Sequence, residues 1–391
     1  MGSVPSNVPR ELAVDIDIYR LDVPDGDAQL AWYELQRDNP DLFWTPHHGG
    51  HWIATRGSDI KTIQLDYRRF SQRSNIIPPT PMNMIPMNVD PPEQAAYRAI
   101  IQPAFAPHQL AHMEARVRKL AVDLIEDLMP RGECEFVSAF ASKLPVLVFL
   151  KMMDLPEGDR EYLKAAAEPL ADGDASKTVA LLEVMKAYLA KWIDVRSSNP
   201  GEDVISRIVH AKVDGRALAR SEIEAMCLLL LLGGLDTVVA LLSFCARFLA
   251  LHPAHRRELI EHPGIMPNAI EELIRRHGIV NTARLITRDF EYKGVHFLQG
   301  DHVCIPNCLY GLDDRLFENP LQVDFRREPT GHSAFGAGPH FCPGAALTKR
   351  ELAVFIEEWL RRIPDFQLTP GMTPIALTGN LNTMRRLHLS W

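Results

Sequence analysis

The six cysteines of this 391-residue chain, Cys134, Cys227, Cys245, Cys304, Cys308 and Cys342, form no CxxC pair. A disulfide framework and a structural zinc site are therefore not signalled. Positive charge is not in excess: 42 Lys and Arg stand against 50 Asp and Glu, a net charge of −8. That balance offers no overall attraction to nucleic acid or to an anionic membrane. Long apolar runs are scarce, since the run Leu228 to Leu232 is too short to span a bilayer. The start, Met1 to Arg10, lacks the charged and apolar regions of a signal peptide, so a cytoplasmic protein without membrane attachment is expected. There is no fixed-period repeat and no low-complexity linker, so one domain over 1–391 is expected.

What is present reads as mainly helical with a small β portion. Residues 107–129 open at Pro107 and space Leu110, Met113, Val117, Leu120, Leu124 and Leu128 three or four apart, one apolar helix face ended by Pro130 and Gly132. Helical periodicity also predicts helices over 177–195, 221–252, 267–277 and 343–362, whereas 285–305 alternates around Lys293-Gly294 like a hairpin. The stretch 221–252 is apolar nearly all round, the pattern of one helix running through the core. Residues 75–92 hold six prolines with Met82, Met84 and Met87, too broken for a helix and too apolar for a solvated loop.

Cys342 stands in Phe335-Gly-Ala-Gly-Pro-His-Phe-Cys-Pro-Gly344, after Gly336 and Gly338 and before a predicted helix. Glycines permit close backbone approach to a flat ligand, and a helix N-terminus lowers a thiol's pKa, which prepares it as a metal ligand. A buried structural cysteine has the same local signature. In the middle of 221–252, Gly233-Gly234-Leu235-Asp236-Thr237 places two glycines and an acid where each is costly, so an offsetting benefit is expected. An acid beside an alcohol can relay protons in a site kept dry, and a glycine-induced kink is the alternative.

The spacing Phe335-x-x-Gly338-x-x-x-Cys342-x-Gly344 resembles the haem-binding signature of the cytochromes P450. Most of the chain is similar to that family, and in particular to its bacterial camphor hydroxylase group. The likeness is closest at Asp90 to Gln94, Met226-Cys227, Gly233 to Val239, Glu271 to Arg276, Val323 to Phe325 and Arg362 to Phe366. The resemblance implies a triangular, mainly α fold enclosing haem b, iron protoporphyrin IX, with Cys342 as thiolate ligand. It implies that Thr237 hydrogen-bonds dioxygen, that Asp236 takes part in proton delivery, and that Glu272, Arg275 and Arg327 form a structural ion-pair motif. Arg98, Arg284 and His340 match the positions that hold the haem propionates, with His332 a weaker candidate. Phe335, Gly338 and Gly344 belong to the cofactor loop.

The same resemblance implies a monomeric monooxygenase that inserts one atom of dioxygen into a C–H bond, fed by a two-iron two-sulfur ferredoxin and a flavoprotein reductase. Lys349, Arg350 and Arg98 are the expected attraction for an acidic ferredoxin. Met82, Met84, Leu229, Leu232, Gly233, Val280 and Leu381 are the expected pocket walls. Met82 stands where the camphor enzyme places a substrate-binding tyrosine, and a thioether offers no donor. An apolar cyclic terpenoid or norisoprenoid, ionone-like, is therefore the expected substrate. Camphor or another monoterpenoid, a peroxide-driven peroxygenase and a haem-based sensor without turnover are the alternatives. Pro343, where many relatives carry Leu, removes an N–H beside the sulfur and is expected to deplete its hydrogen-bond shell.

Overall fold

The computed structural model describes residues 4–80, 83–167, 175–328 and 331–391. Helices dominate, at about 52% of the chain. The main sheet runs in the order Leu42–Thr45, His51–Ala54, His302–Pro306, Asn281–Ile286, Phe70–Ser71. Its pairs are antiparallel except for Val303 and Cys304, which lie parallel to Trp52 and Ile53. Two apolar cores result. One packs the helices around Phe140, Leu231, Phe244 and Phe355, and the other lies against the sheet around Trp32, Phe43 and Ile305.

The helical expectations hold over Pro107–Leu128, Ala175–Ser198, Met266–Arg276 and Ala345–Arg362. Pro107 sits at the first helical position, and Gly132 lies just beyond the far end at φ 71°. The expected hairpin is Phe290–Tyr292 paired with Val295–Phe297, turning through Lys293 (φ 51°) and Gly294 (φ 78°). Two residues at positive φ make the turn whose twist matches the strands.

The long central helix requires correction. It is two helices, Arg220–Leu235 and Thr237–Leu251, broken at Asp236 with φ −118° and ψ −25°. Apolar periodicity continues across the break, which is why the pattern reads as unbroken. By length and composition 220–251 is apolar enough to cross a membrane, yet 67% of its most apolar window is buried inside the fold.

The proline-rich segment is irregular, as its composition requires. Asn88 and Asp90 pin it. The Asn88 side chain accepts from the Met84 N–H (2.8 Å) and donates to Asn75 (2.9 Å), while Asp90 accepts from Ser71 Oγ (2.6 Å) and the Gln72 N–H (3.0 Å). Met82 lies outside the described residues.

Candidate active site

One deep chamber collects residues far apart in sequence: Arg98 from the helix Glu93–Ile101, Leu229, Gly233 and Thr237 from the broken helix pair, Arg284 from the strand Asn281–Ile286 and Val280 just before it, and Phe335, His340, Cys342 and Gly344 from the cysteine loop. Asp236, Gly338, Met84, Leu232 and Leu381 are not among its lining residues. Met84 is buried, 4% exposed, but packs away from the chamber, and the same segment lines it with Pro86 and Met87 instead. A run of prolines has no fixed side-chain periodicity, so sequence cannot say which methionine faces inward. Leu232 is half-buried against the helical core, and Leu381 forms a β-bridge with the lining residue Val280.

The cysteine loop folds back on itself. The Cys342 N–H donates to the Phe335 carbonyl (2.9 Å), and Gly336 and Gly338 take φ of 72° and 69°, which a β-carbon would strain. The helix that follows begins at Ala345. Burial pushes the Cys342 thiol up, while backbone N–H donors from Gly344 and Ala345 and the charge of Arg98 pull it down. The donors act as expected from a helix end, but burial outweighs them, correcting the expectation of a lowered value. Coordination to a cation would supply the remaining stabilisation of a thiolate. Pro343 contributes no N–H to the sulfur, whose backbone donors are Gly344 and Ala345.

At the break, the Thr237 hydroxyl donates to the Gly233 carbonyl across 2.7 Å, the acceptor that a continuous helix would give to the Thr237 N–H. Gly233 opens onto empty space, with no atom within 4 Å of where a β-carbon would sit. Gly234 faces the other way, and its β-carbon would fall 2.2 Å from Phe149 Cγ. The two glycines thus have separate purposes: Gly233 leaves room in the chamber, and Gly234 lets Phe149 pack against the helix at the chamber wall.

Three groups along the chamber seek an anion. Arg284 is 3% exposed, and its guanidinium donates only to the Thr282 hydroxyl (3.1 Å) and the Ala283 carbonyl (2.8 Å). Burial, partly opposed by Asp90, brings its pKa down to about 10. Arg98 donates to Gln102 (3.0 Å), and burial lowers its pKa too. His340 Nε2 is buried without a partner, and burial, reinforced by Arg284 and Arg98, lowers its pKa to about 4. No carboxylate within 4.0 Å answers either arginine among the described residues. Buried cations of this kind need a counter-charge. The residues present fit a haem on this observation: Arg98, Arg284 and His340 would answer its propionates, the apolar walls would suit its face, and the Cys342 sulfur would be available to its iron.

The Glu272–Arg275–Arg327 cluster stands behind the chamber. In isolation a Glu-x-x-Arg spacing is usually a solvated pair, but here Glu272 and Arg275 are each 4% exposed. Glu272 accepts from Arg275, from Arg327 Nε (3.1 Å) and from the Asp324 N–H (3.0 Å). His332 is not in the chamber and instead meets Glu271 at 3.2 Å. Lys349 and Arg350, expected to attract an acidic ferredoxin, are ion-paired with Glu271 (2.5 Å) and Glu114 (2.7 Å). Among the lining residues that escaped the sequence reading are two titratable ones, His277 and Glu351. Burial alone raises the Glu351 carboxyl to about 8.

An apolar chamber with a sulfur in its wall and unanswered cations beside it defines a haem-binding enzyme. Comparison with known proteins gives the family. A family model described as Cytochrome P450 matches residues 264–378. The chain is 30% identical over 400 residues to the Probable cytochrome P450 127A1 of Sinorhizobium fredii (strain NBRC 101917 / NGR234), covering 99% of this chain and 97% of that one. It is similar to the crystal structure of CYP101J2 (36% identity, TM-score 0.92, covering 100% of this chain and 99% of that one). It is also similar to that of cytochrome P450 CYP101C1 (37% identity, TM-score 0.91, all of both chains covered). The chain belongs to the cytochrome P450 family, whose members bind haem b and act as monooxygenases.

Proposed function

We propose that Cys342 ligates the haem iron, that Arg98, Arg284 and His340 hold the propionates, and that the enzyme hydroxylates an apolar cyclic terpenoid or norisoprenoid. Electrons come from a two-iron two-sulfur ferredoxin served by a flavoprotein reductase, and the protein works as a cytoplasmic monomer. The observation that carries the site assignment is the convergence of Cys342, Thr237 and the three anion-seeking groups on one chamber. Bound haem supplies dioxygen activation and transfer of one oxygen atom to the substrate.

The chain's own residues do the rest. Leu229, Val280 and Met87 offer no hydrogen-bonding group to a substrate, so they orient it by shape and exclude water. Thr237 offers an alcohol whose proton is parked on the Gly233 carbonyl, available for release toward the chamber when an acceptor arrives. Asp236, adjacent at the helix break, supplies the acid from which that alcohol is resupplied. The ionone-like substrate rests on the apolar wall of Leu229, Val280 and Met87, which selects by shape. The compensated charges of Lys349 and Arg350 leave partner docking to shape and local dipoles more than to long-range attraction.

A spectral titration tests the substrate class. Ionones and larger monoterpenoids are expected to shift the ferric spin state more effectively than camphor, and the reverse order would overturn the substrate assignment.

A further inference from the structure

A second polar pocket lies behind the chamber, lined by Asp27, Arg247, His252, His255 and Arg276, and His277 belongs to the wall of both. Its volume of about 440 Å³ is far above the roughly 10–15 Å³ that one water needs. His277 is 1% exposed, and neither ring nitrogen has a hydrogen-bond partner. The ring is fixed beside Phe244 (centroids 6.4 Å apart, planes 4° apart) and Phe248 (5.7 Å). The next residue, Gly278, holds the backbone close to Cys308, whose Cα would lie 2.9 Å from an added β-carbon.

We propose that this pocket is a water passage into the haem chamber, with His277 as its inner hydrogen-bonding step. A neutral imidazole presents one donor and one acceptor, and burying both without partners is unfavourable. Burial and the nearby arginines hold His277 well below its usual range, so it is neutral and needs two neutral partners. Water from the adjoining pocket is the partner within reach. The charges facing the ring do not balance locally: Arg276 and Arg247 share the single carboxylate of Asp27, at 2.7 and 3.6 Å. The remaining pocket acids are Glu258, engaged by Arg326 at 3.0 Å, and Asp324. His252 stacks on Phe248 (centroids 4.2 Å apart), its own pKa lowered by burial, and His255 beside it donates to the Val323 carbonyl (3.1 Å). An apolar substrate entering the chamber must displace water, and this route lets that water leave without crossing the substrate's path.

The inference rests on haem being bound, which the visible spectrum establishes separately. The test is the relaxation of bulk water by the ferric holoprotein, since only waters that reach the haem and return are relaxed. His277→Phe is expected to lower the oxygen-17 effect about threefold or more, and His277→Gln, which keeps a donor and an acceptor, to retain it. An unchanged oxygen-17 effect in a His277→Phe protein with parental haem content and circular dichroism overturns the proposal. A loss confined to proton relaxation also overturns it, because that marks a proton relay. Should His277→Phe fail to fold, a high-resolution crystal structure of the parent holoprotein decides. Ordered waters joining both ring nitrogens to the Arg276 pocket support the passage, and ring nitrogens touching carbon alone overturn it.

Discussion

Arg275 grips Glu272 through two hydrogen bonds, Nε to Oε2 at 2.7 Å and Nη2 to Oε1 at 2.8 Å, with both side chains almost wholly buried. The guanidinium also donates to the Pro320 carbonyl (2.8 Å) and the Gln322 carbonyl (3.0 Å), tying the helix to the loop that leads toward the cysteine segment. Glu272→Gln leaves Arg275 and Arg327 without their shared charge. Breaking a buried pair from one side costs about 3–5 kcal/mol, so this variant is expected to purify with little haem and a lowered urea midpoint. Parental stability and haem content would contradict the structural role.

Asp27 gives the fold a pH dependence. Burial acts to raise its pKa, but the charge and hydrogen bond of Arg276, with help from Arg247, bring it to about 2 against an ordinary 3.8. A depressed folded-state value means stability that is present above the unfolded pKa and lost as pH falls through about 4 toward 2. The shift corresponds to about 2 kcal/mol. Asp27→Asn is expected to lower the urea midpoint at pH 7 and to narrow its deficit below pH 3. A deficit that is constant with pH would contradict the assignment.

The paired glycines separate by position. Gly234→Ala pushes a methyl group into Phe149 and is expected to destabilise by about 1–3 kcal/mol, offset in part by the better helix propensity of alanine. Gly233→Ala meets nothing and is expected to keep or slightly raise stability while weakening the binding of bulky substrates. Thermal melts and spin-state titrations on the two variants check both halves. Equal stability losses would contradict the described facing.

Thr237→Ala removes the alcohol at the break. With redox partners supplied, the fraction of NADH consumption that yields product is expected to fall by about tenfold or more, and Thr237→Ser to retain most of it. Unchanged coupling in Thr237→Ala would remove Thr237 from the reaction.

The cysteine loop was legible in the sequence because it depends on spacing within one short segment, whereas the cluster of Glu272, Arg275 and the distant Arg327 was legible only through the family resemblance. The central helix was legible as buried but not as broken, since hydrophobic periodicity carries no information about the φ and ψ of Asp236. The wall facing the substrate was only half legible. Leu229, Gly233 and Val280 sit on regular elements whose facing follows from period, whereas Met84 and Met87 sit on a proline-rich segment with no period. Pairing across the fold was invisible: the charges of Lys349 and Arg350 are answered by Glu271 and Glu114, far away in sequence for Arg350. His277 escaped for the same reason, because an orphaned buried ring nitrogen is defined only by what surrounds it.

The account turns on Cys342. The most direct measurement is the carbon monoxide difference spectrum of the reduced protein beside that of Cys342→Ser. The parent is expected to show the red-shifted absorption band of a thiolate-ligated haem, and the variant to lose it while the fold persists by circular dichroism. The same band in both proteins would contradict ligation by Cys342.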